Sequence, residues 1–296
     1  MFSGVSIVCF AASYAVSLAL EVSRLFFRVR LRLVVLISFA LAGLAAHTIY
    51  LLVEARGGAL GGAPLSSWYH WCLMVAWVVA AVYVGSTLAR PRTAVGLFFL
   101  PLILGLILLA LLVPRREVFT TDQVYRLWSL IHGAALLLGT VSAVIGLAAG
   151  VMFLVQAYRL KHKLPPRPGF RLPSLEWLQQ ANERSLIVSS CLLAAGVISG
   201  ILLNLVIHRG PSHAVPWTDP VVWTSGVLFL WLLAATTFSV VYRPARRGHK
   251  VAYLTVVNFI FLGMVLGTVL LVPSHHGGWK PPPATGVAGV GAGGGP

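Results

Sequence analysis

The stretch LIHGAALLLGTVSAVIGLAAGVMFLVQAYRLKHK, residues 130–163, decides the fold class of this chain. Its apolar part belongs to a longer segment, 127–157, that contains no Asp, Glu, Lys or Arg. About 20 apolar residues are enough for a helix to cross the hydrocarbon core of a bilayer. A basic run that begins at Arg159 follows directly. An apolar span with a basic flank is typical of a transmembrane helix whose basic end faces the cytoplasm.

The whole chain has the composition of a membrane protein. Hydrophobic residues make up 58% of its 296 residues and charged residues only 10%, whereas a soluble domain carries about 25% charged residues. The 22 Lys and Arg outnumber the 7 Asp and Glu, but they stand in short runs between apolar segments. Because that is the pattern of topology signals, nucleic acid is not expected as a partner. The cysteines are isolated and form no C-x-x-C pair, which argues against a thiol oxidoreductase or a c-type cytochrome; they are Cys9, Cys72 and Cys191.

Eight segments are long and apolar enough to be membrane spans. The connections between them alternate between basic and weakly charged, and the basic side is the cytoplasmic one. The sequence therefore predicts an all-α, polytopic helical membrane protein of the inner or plasma membrane, with eight transmembrane helices and both termini outside. The predicted spans are 4–23, 33–53, 68–89, 94–113, 127–157, 185–207, 220–241 and 251–272. The basic connections are 24–32, 90–92, 159–184 and 242–250.

Two segments are predicted to lie outside the membrane. The second half of the long connection 161–184, SLEWLQQANER, predicts a short amphipathic helix that leads into the sixth span. Residues 277–296 are rich in Gly, Pro and Ala, which is typical of a disordered tail.

The nine histidines are distributed unevenly between the two sides of the membrane. Only His162 and His249 fall in basic connections. His47 lies within a span, where an ionisable group tends to face a cavity. His132 is predicted at the same depth and side as the pair at 275–276, which is compatible with two imidazole ligands to one metal, although histidines also sit at membrane interfaces without a ligand. The histidines assigned to the outer half are His47, His70, His132, His208, His213, His275 and His276.

The segment VPWTDPVVWTSG, residues 215–226, lies at the outer entry to the seventh span. Asp219 can cap that helix, with Pro220 in its first turn. Trp217 and Trp223 can anchor the helix at the interface. Alternatively, the two indoles present apolar faces to a planar macrocycle. The residues alone leave both interpretations open.

Four motifs follow one another in an order that one protein family shares. LIHG opens the fifth span on the outer side, and LPSLEWLQQANERS follows on the inner side. WTDPVVW, residues 217–223, matches an outward W-D-P-x-x-x-W segment with one extra residue between the first Trp and Asp, and LGTVLLVPSHHGG ends the last span. In these motifs the chain resembles the haem-handling membrane proteins of cytochrome c assembly, whose signature is a tryptophan-rich "WWD" segment. The resemblance covers about residues 68–278.

The resemblance implies a function and an organisation. Non-covalent, b-type haem would be bound at the outer face and delivered or presented to apocytochrome c or to assembly subunits, which places the chain in haem transport and cytochrome c-type biogenesis. The chain would not itself be an enzyme, at most a subunit of a haem-ligation system. Residues 1–67 would form an N-terminal transmembrane pair, 68–276 the haem-handling domain and 277–296 the tail.

The same resemblance assigns roles to residues. His132 and either His275 or His276 would ligate the haem iron. Trp217 and Trp223 would stack near the porphyrin. Asp219 would orient that segment, and Arg209 would pair with the propionates. Additional candidate ligands are His47 and His70.

One departure from the family pattern and two alternative functions complete the expectations. The span after the tryptophan segment reads LLAATTFSVVY and contains no His, so neither the inner haem site of the synthase branch nor synthase activity is expected. A rival function is a membrane regulator or scaffold of tetrapyrrole synthesis that acts through the cytoplasmic connection 159–184. A solute transporter that uses His47 has little support, because no matching halves with Gly- or Pro-interrupted spans occur.

Overall fold

The computed structural model is entirely helical in the residues it describes, with eight α-helices and no strand among them. The described residues are 6–27, 31–57, 67–113, 126–165, 169–207, 216, 218–241 and 249–272. The helices are α1 Ile7–Ser23, α2 Arg32–Gly57, α3 Trp68–Ala89, α4 Gly96–Leu112, α5 Arg126–Lys161, α6 Leu175–Ile207, α7 Pro220–Val241 and α8 His249–Leu271.

Each predicted span overlaps one of these helices, and the described residues confirm the all-α fold class. Five helices are long and apolar enough to cross a membrane, namely those that contain Arg32–Arg56, Trp68–Ala89, Trp128–Lys161, Leu175–Leu205 and Pro220–Phe238. Three further apolar helical stretches of 10–17 residues are Ile7–Ser23, Gly96–Leu112 and Ala252–Thr268. The structure differs from the prediction before the sixth span, because the amphipathic segment and the span form one unbroken helix, α6.

The helices pack as two groups that meet at α5. In the first group, α1 packs on α2 and α4, and α3 packs on α2 and α4. In the second, α8 packs on α5, α6 and α7, while α5 and α6 lie side by side along much of their length. Helices α3 and α4 contact α5 and so join the groups. Many large apolar side chains, such as Leu112, Leu230 and Ile260, are exposed on the outer surface, as they would be in contact with lipid.

Glycines allow α5 and α6 to approach each other closely. A Cβ atom at Gly139 would lie 2.9 Å from Cδ2 of Leu193 and 3.1 Å from its backbone nitrogen. A Cβ atom at Gly196, on the facing helix, would lie 2.5 Å from Cδ2 of Leu136. Small residues at helix contacts are the usual basis of close packing between membrane helices. The α5–α6 interface therefore depends on two positions where a side chain would force Leu136, Leu193 or the facing helix to move.

Replacing Gly139 with valine is expected to lower the free energy of unfolding by about 1–3 kcal/mol, the usual cost of overpacking. The new side chain meets the backbone of α6, which cannot move aside as a flexible side chain can. Thermal unfolding in detergent, followed by helix circular dichroism, measures the change. Gly263→Val is the matched control, since no atom lies within 4 Å of a Cβ atom there. Equal melting temperatures for the two variants would contradict this description of the interface.

A polar cluster joins the end of α1 to the connection between α3 and α4. Glu21 is only 1% exposed, and its carboxylate lies 3.7 Å from the Arg24 guanidinium. Arg24 also donates to the carbonyl of Thr93, at 3.0 Å, and to that of Arg92. These groups are called the Arg24 cluster below.

The segment before α6 reaches the same end of the molecule. The Ala94 amide donates to the carbonyl of Arg171 at 2.7 Å. The Arg90 guanidinium lies over the Trp177 ring, 4.4 Å from its centroid. Described parts of three basic connections, 24–32, 90–92 and 159–184, are therefore in contact with one another.

Candidate functional site

His132 lies in the second turn of α5 and is turned towards α6. Its Nδ1 atom is 2.8 Å from the carbonyl oxygen of Gly196 and 3.3 Å from Oγ of Ser199. Ser199 Oγ itself donates to the Gly196 carbonyl at 2.8 Å. A carbonyl oxygen can only accept, so Nδ1 carries the proton of the neutral imidazole and donates it. Nε2 is then the nitrogen with the basic lone pair.

The ring of His132 packs against Gly200 of α6, where there is no side chain. A Cβ atom at Gly200 would lie 2.8 Å from Cε1 and 3.1 Å from Nδ1 of the imidazole. Gly196 and Gly200, one helical turn apart, thus receive Leu136 and His132, which are also one turn apart. Histidine ligands of metals usually donate their second N–H to a carbonyl or carboxylate, which sets the tautomer. With the proton on Nδ1, Nε2 is the ring nitrogen that could bind a metal.

Asp219 caps α7, as the residue types predict. Its Oδ1 atom accepts from the Val221 amide at 2.8 Å, and Pro220 is the first residue of the helix. The Asp219 side chain is only 4% exposed. Trp223, one turn later, is 68% exposed. The two residues therefore share a helix start but occupy different environments, one buried and one at the surface.

Replacing Asp219 with alanine is expected to lower the free energy of unfolding by about 1 kcal/mol, as for the loss of a helix N-cap. Asp219→Asn retains an oxygen that can accept from the Val221 amide, so most of the stability should be preserved. Thr224→Ala is a control on the same helix, because the Thr224 hydroxyl donates only to backbone carbonyls of the preceding turn. An asparagine variant as unstable as the alanine variant would show that the charge matters and not the cap. Thermal unfolding in detergent distinguishes the two.

His47 is completely buried between α1 and α2. Its ring stacks on Phe10, with the centroids 4.1 Å apart and the planes 1° from parallel, and Tyr14 meets it edge-on at 6.2 Å. Neither ring nitrogen has a hydrogen-bond partner among the described residues. The structure thus places His47 among aromatic side chains of α1, whereas His132 lies against α6.

His70 has local partners at the start of α3. Its Nδ1 atom is 2.7 Å from Oγ of Ser67, the residue that caps the helix. Its Nε2 atom is 3.6 Å from Oε1 of Glu54, and Tyr69 lies edge-on to the ring. These contacts hold His70 between the ends of α2 and α3, and both ring nitrogens face partners from these two helices.

Several predicted site residues lie outside the described residues. They include the second candidate ligand, the first tryptophan of the motif and the predicted propionate partner. In the part of the chain that the structure describes, no three or more His, Cys, Asp or Glu side chains cluster as a metal site would require. Of the residues and segments singled out in the sequence, those outside the described ranges are Trp217, Arg209, His208, His213, His275, His276 and the tail 277–296.

A buried polar seam between α5, α6 and α8 was not predicted. The Asn258 amide donates to Oγ of Ser189 at 3.2 Å, and the Ser142 hydroxyl donates to the Ser185 carbonyl at 3.1 Å. With its amide oriented to satisfy both ends, Asn182 donates to Oγ1 of Thr255 at 2.7 Å and accepts from the Ala252 amide at 3.1 Å. The available signal was the presence of Asn within or beside apolar spans, since polar groups there usually face other helices.

Comparison with models of protein families, with curated proteins and with solved structures gave no match. The function proposed below therefore rests on the residues of this chain and on their arrangement.

Proposed function

We propose that this chain is a multi-pass protein of the cell membrane that binds haem at the outer face and presents it for cytochrome c assembly. The proposal includes eight spans and outward-facing termini. The contacts among 24–32, 90–92 and 159–184 support this topology, because segments assigned to one side of the membrane should lie near one another. The 17-residue helices α1 and α4 are about 25 Å long at 1.5 Å per residue, close to the hydrocarbon thickness of a bilayer.

The observation that carries the haem proposal is the fixed tautomer of His132. Its Nδ1–H donates to the Gly196 carbonyl, and the imidazole occupies space that a side chain at position 200 would fill. Nε2, which carries the basic lone pair, is therefore the nitrogen that would bind the haem iron.

The other candidate residues are of types that can bind haem. His275 or His276 would supply the second imidazole, and two imidazoles leave no open position on the iron. Such ligation suits holding and release of haem more than oxygen chemistry. The exposed indole of Trp223 can lie against a flat apolar ring, with Asp219 fixing the helix start from which it projects. Trp217 and Arg209 would complete the contacts on the same side.

The chain's own residues perform three tasks in this proposal. The Gly196 carbonyl keeps the proton on Nδ1 and increases the basicity of Nε2. Gly200 leaves the space that the imidazole occupies against α6. The close α5–α6 contact at Gly139 and Gly196 holds both helices in the register that these interactions require.

Addition of haem to the detergent-purified protein tests the proposal. The wild type is expected to give a Soret band and, after reduction with dithionite, sharp visible bands of a low-spin iron with two imidazole ligands. The double variant His275→Ala and His276→Ala should retain haem more weakly and lose those sharp bands. A protein that stays colourless would contradict the haem proposal. Regulation through the 159–184 segment would then be the function to examine.

A further inference from the structure

A cleft lies at the basic end of the molecule, far along α5 from His132. The cleft, of about 860 Å³, opens between the C-terminal end of α5, Tyr253 of α8, and Leu164 and Phe170 of the connection that follows α5. Leu25, just beyond the end of α1, also contributes to its wall. The volume lies in the range of about 300–1,000 Å³ that is typical of sites for one small ligand.

One side of the cleft is cationic. Arg159, Lys161 and His162 line it, and no Asp or Glu is among the described residues that do. Arg159 is held in place, because its guanidinium donates to the Pro165 carbonyl at 2.8 Å and lies 5.3 Å from the centroid of Phe170. His162 is fixed by its Nδ1 atom, 2.9 Å from the Tyr158 carbonyl. The positive charge of Arg159 therefore has a defined position in the cleft, and the charge of the cleft does not depend on the exposed Lys161 alone.

The other side of the cleft is apolar. Leu154 and Val155 of α5 line it together with Leu25 and Tyr253. Leu154 and Val155 belong to the apolar part of α5, the helix that is long enough to cross a membrane. A ligand here would place an anionic group against Arg159 and Lys161 and an apolar part along the surface of the helices. A soluble anion would leave the apolar wall without a partner.

We propose that this cleft binds an anionic phospholipid from the adjoining leaflet, with its phosphate against Arg159, Lys161 and His162. Basic pockets between transmembrane helices on the cytoplasmic side are the usual environment of such headgroups. The lipid would also contact Leu164 and Phe170, and Arg159 of α5 contacts this connection at Pro165 and Phe170. The inference requires only that the helices lie in a membrane and is independent of the haem site.

The test compares phosphatidylglycerol with phosphatidylcholine by native mass spectrometry of the delipidated, purified protein. Each basic residue near an anionic membrane surface contributes about fivefold to binding. The wild type should therefore bind phosphatidylglycerol at least about fivefold more tightly than phosphatidylcholine. The double variant Lys161→Gln and His162→Gln should reduce that preference by about fivefold, since Arg159 remains. Arg92→Gln is the matched control, since Arg92 is exposed on the neighbouring connection and does not line the cleft.

Three results would overturn the proposal. The first is equal binding of both lipids by the wild type, a result that can be interpreted without any variant. Arg92→Gln could reduce the preference as much as the double variant does, which would indicate a diffuse charge effect. Inorganic phosphate could displace the lipid at millimolar concentration, which would identify a site for a soluble anion. The single variant Lys161→Gln, at an exposed position, gives the same comparison if the double variant does not fold.

Discussion

Replacing Arg24 with alanine is expected to lower the free energy of unfolding by about 3–5 kcal/mol, the usual result of removing one partner of a buried ion pair. The Glu21 carboxylate would remain 1% exposed without the guanidinium beside it. The carbonyls of Arg92 and Thr93 would lose their donor at the same time. Thermal unfolding in detergent measures the loss.

A control variant distinguishes the loss of the Glu21–Arg24 pair from the loss of any one positive charge. Arg92→Ala removes an equal charge from the same end of the molecule, but the exposed side chain of Arg92 is not the part that Arg24 contacts. It should change stability by no more than about 0.5 kcal/mol. The double variant Glu21→Gln and Arg24→Ala should recover part of the loss, because no unpaired carboxylate remains. An Arg24→Ala protein as stable as Arg92→Ala would show that the Arg24 cluster does not stabilise the fold.

Replacing His132 with alanine is expected to weaken haem binding by at least about 100-fold. The reason for this magnitude is that loss of a hydrogen-bond partner behind a metal ligand already costs about 10–100-fold, and in the proposed site His132→Ala removes the ligand itself. Titration of haem into the purified variant, followed at the Soret band, measures the affinity. Added imidazole should restore the spectrum in part, since the space left by the side chain is open to a small ligand.

Two further variants distinguish a ligand from a residue that supports the fold. Gly200→Ala places a methyl group 2.8 Å from Cε1 of His132 and should weaken haem binding without removing any ligand. His162→Ala removes a histidine about 45 Å away, at the other end of the same helix, and should leave haem affinity unchanged. If His132→Ala and His162→Ala bind haem equally well, His132 is not a ligand.

The sequence was sufficient to predict the helices and the cap at Asp219. Hydropathy over some 20 residues reports whether a segment can span a membrane, and the Asp-Pro pair specifies its own local structure. The start of α6 was harder, because SLEWLQQANER has enough charge to resemble a separate surface helix, yet no residue between it and the span breaks the helix.

The contacts between helices could not be predicted in the same way. Helices in this chain are apolar on nearly all sides, so the residues do not indicate which face meets which neighbour. The contact of His132 with Gly196 and Gly200 depends on the rotation of α5 and α6 about their axes. The pairing of Asn258 with Ser189 depends on the relative height of α6 and α8. Such information appears only when the helices are packed together.

Transfer of haem from oriented membrane vesicles is the most direct test of outer-face haem presentation. Vesicles that contain the haem-loaded protein would be mixed with an apoprotein that accepts haem and cannot cross the membrane. Right-side-out vesicles with the wild-type chain are predicted to pass haem to the acceptor, and vesicles with His132→Ala are predicted to pass little. Transfer from inside-out vesicles alone, or equal transfer from the wild type and His132→Ala, would contradict an outer haem site at His132.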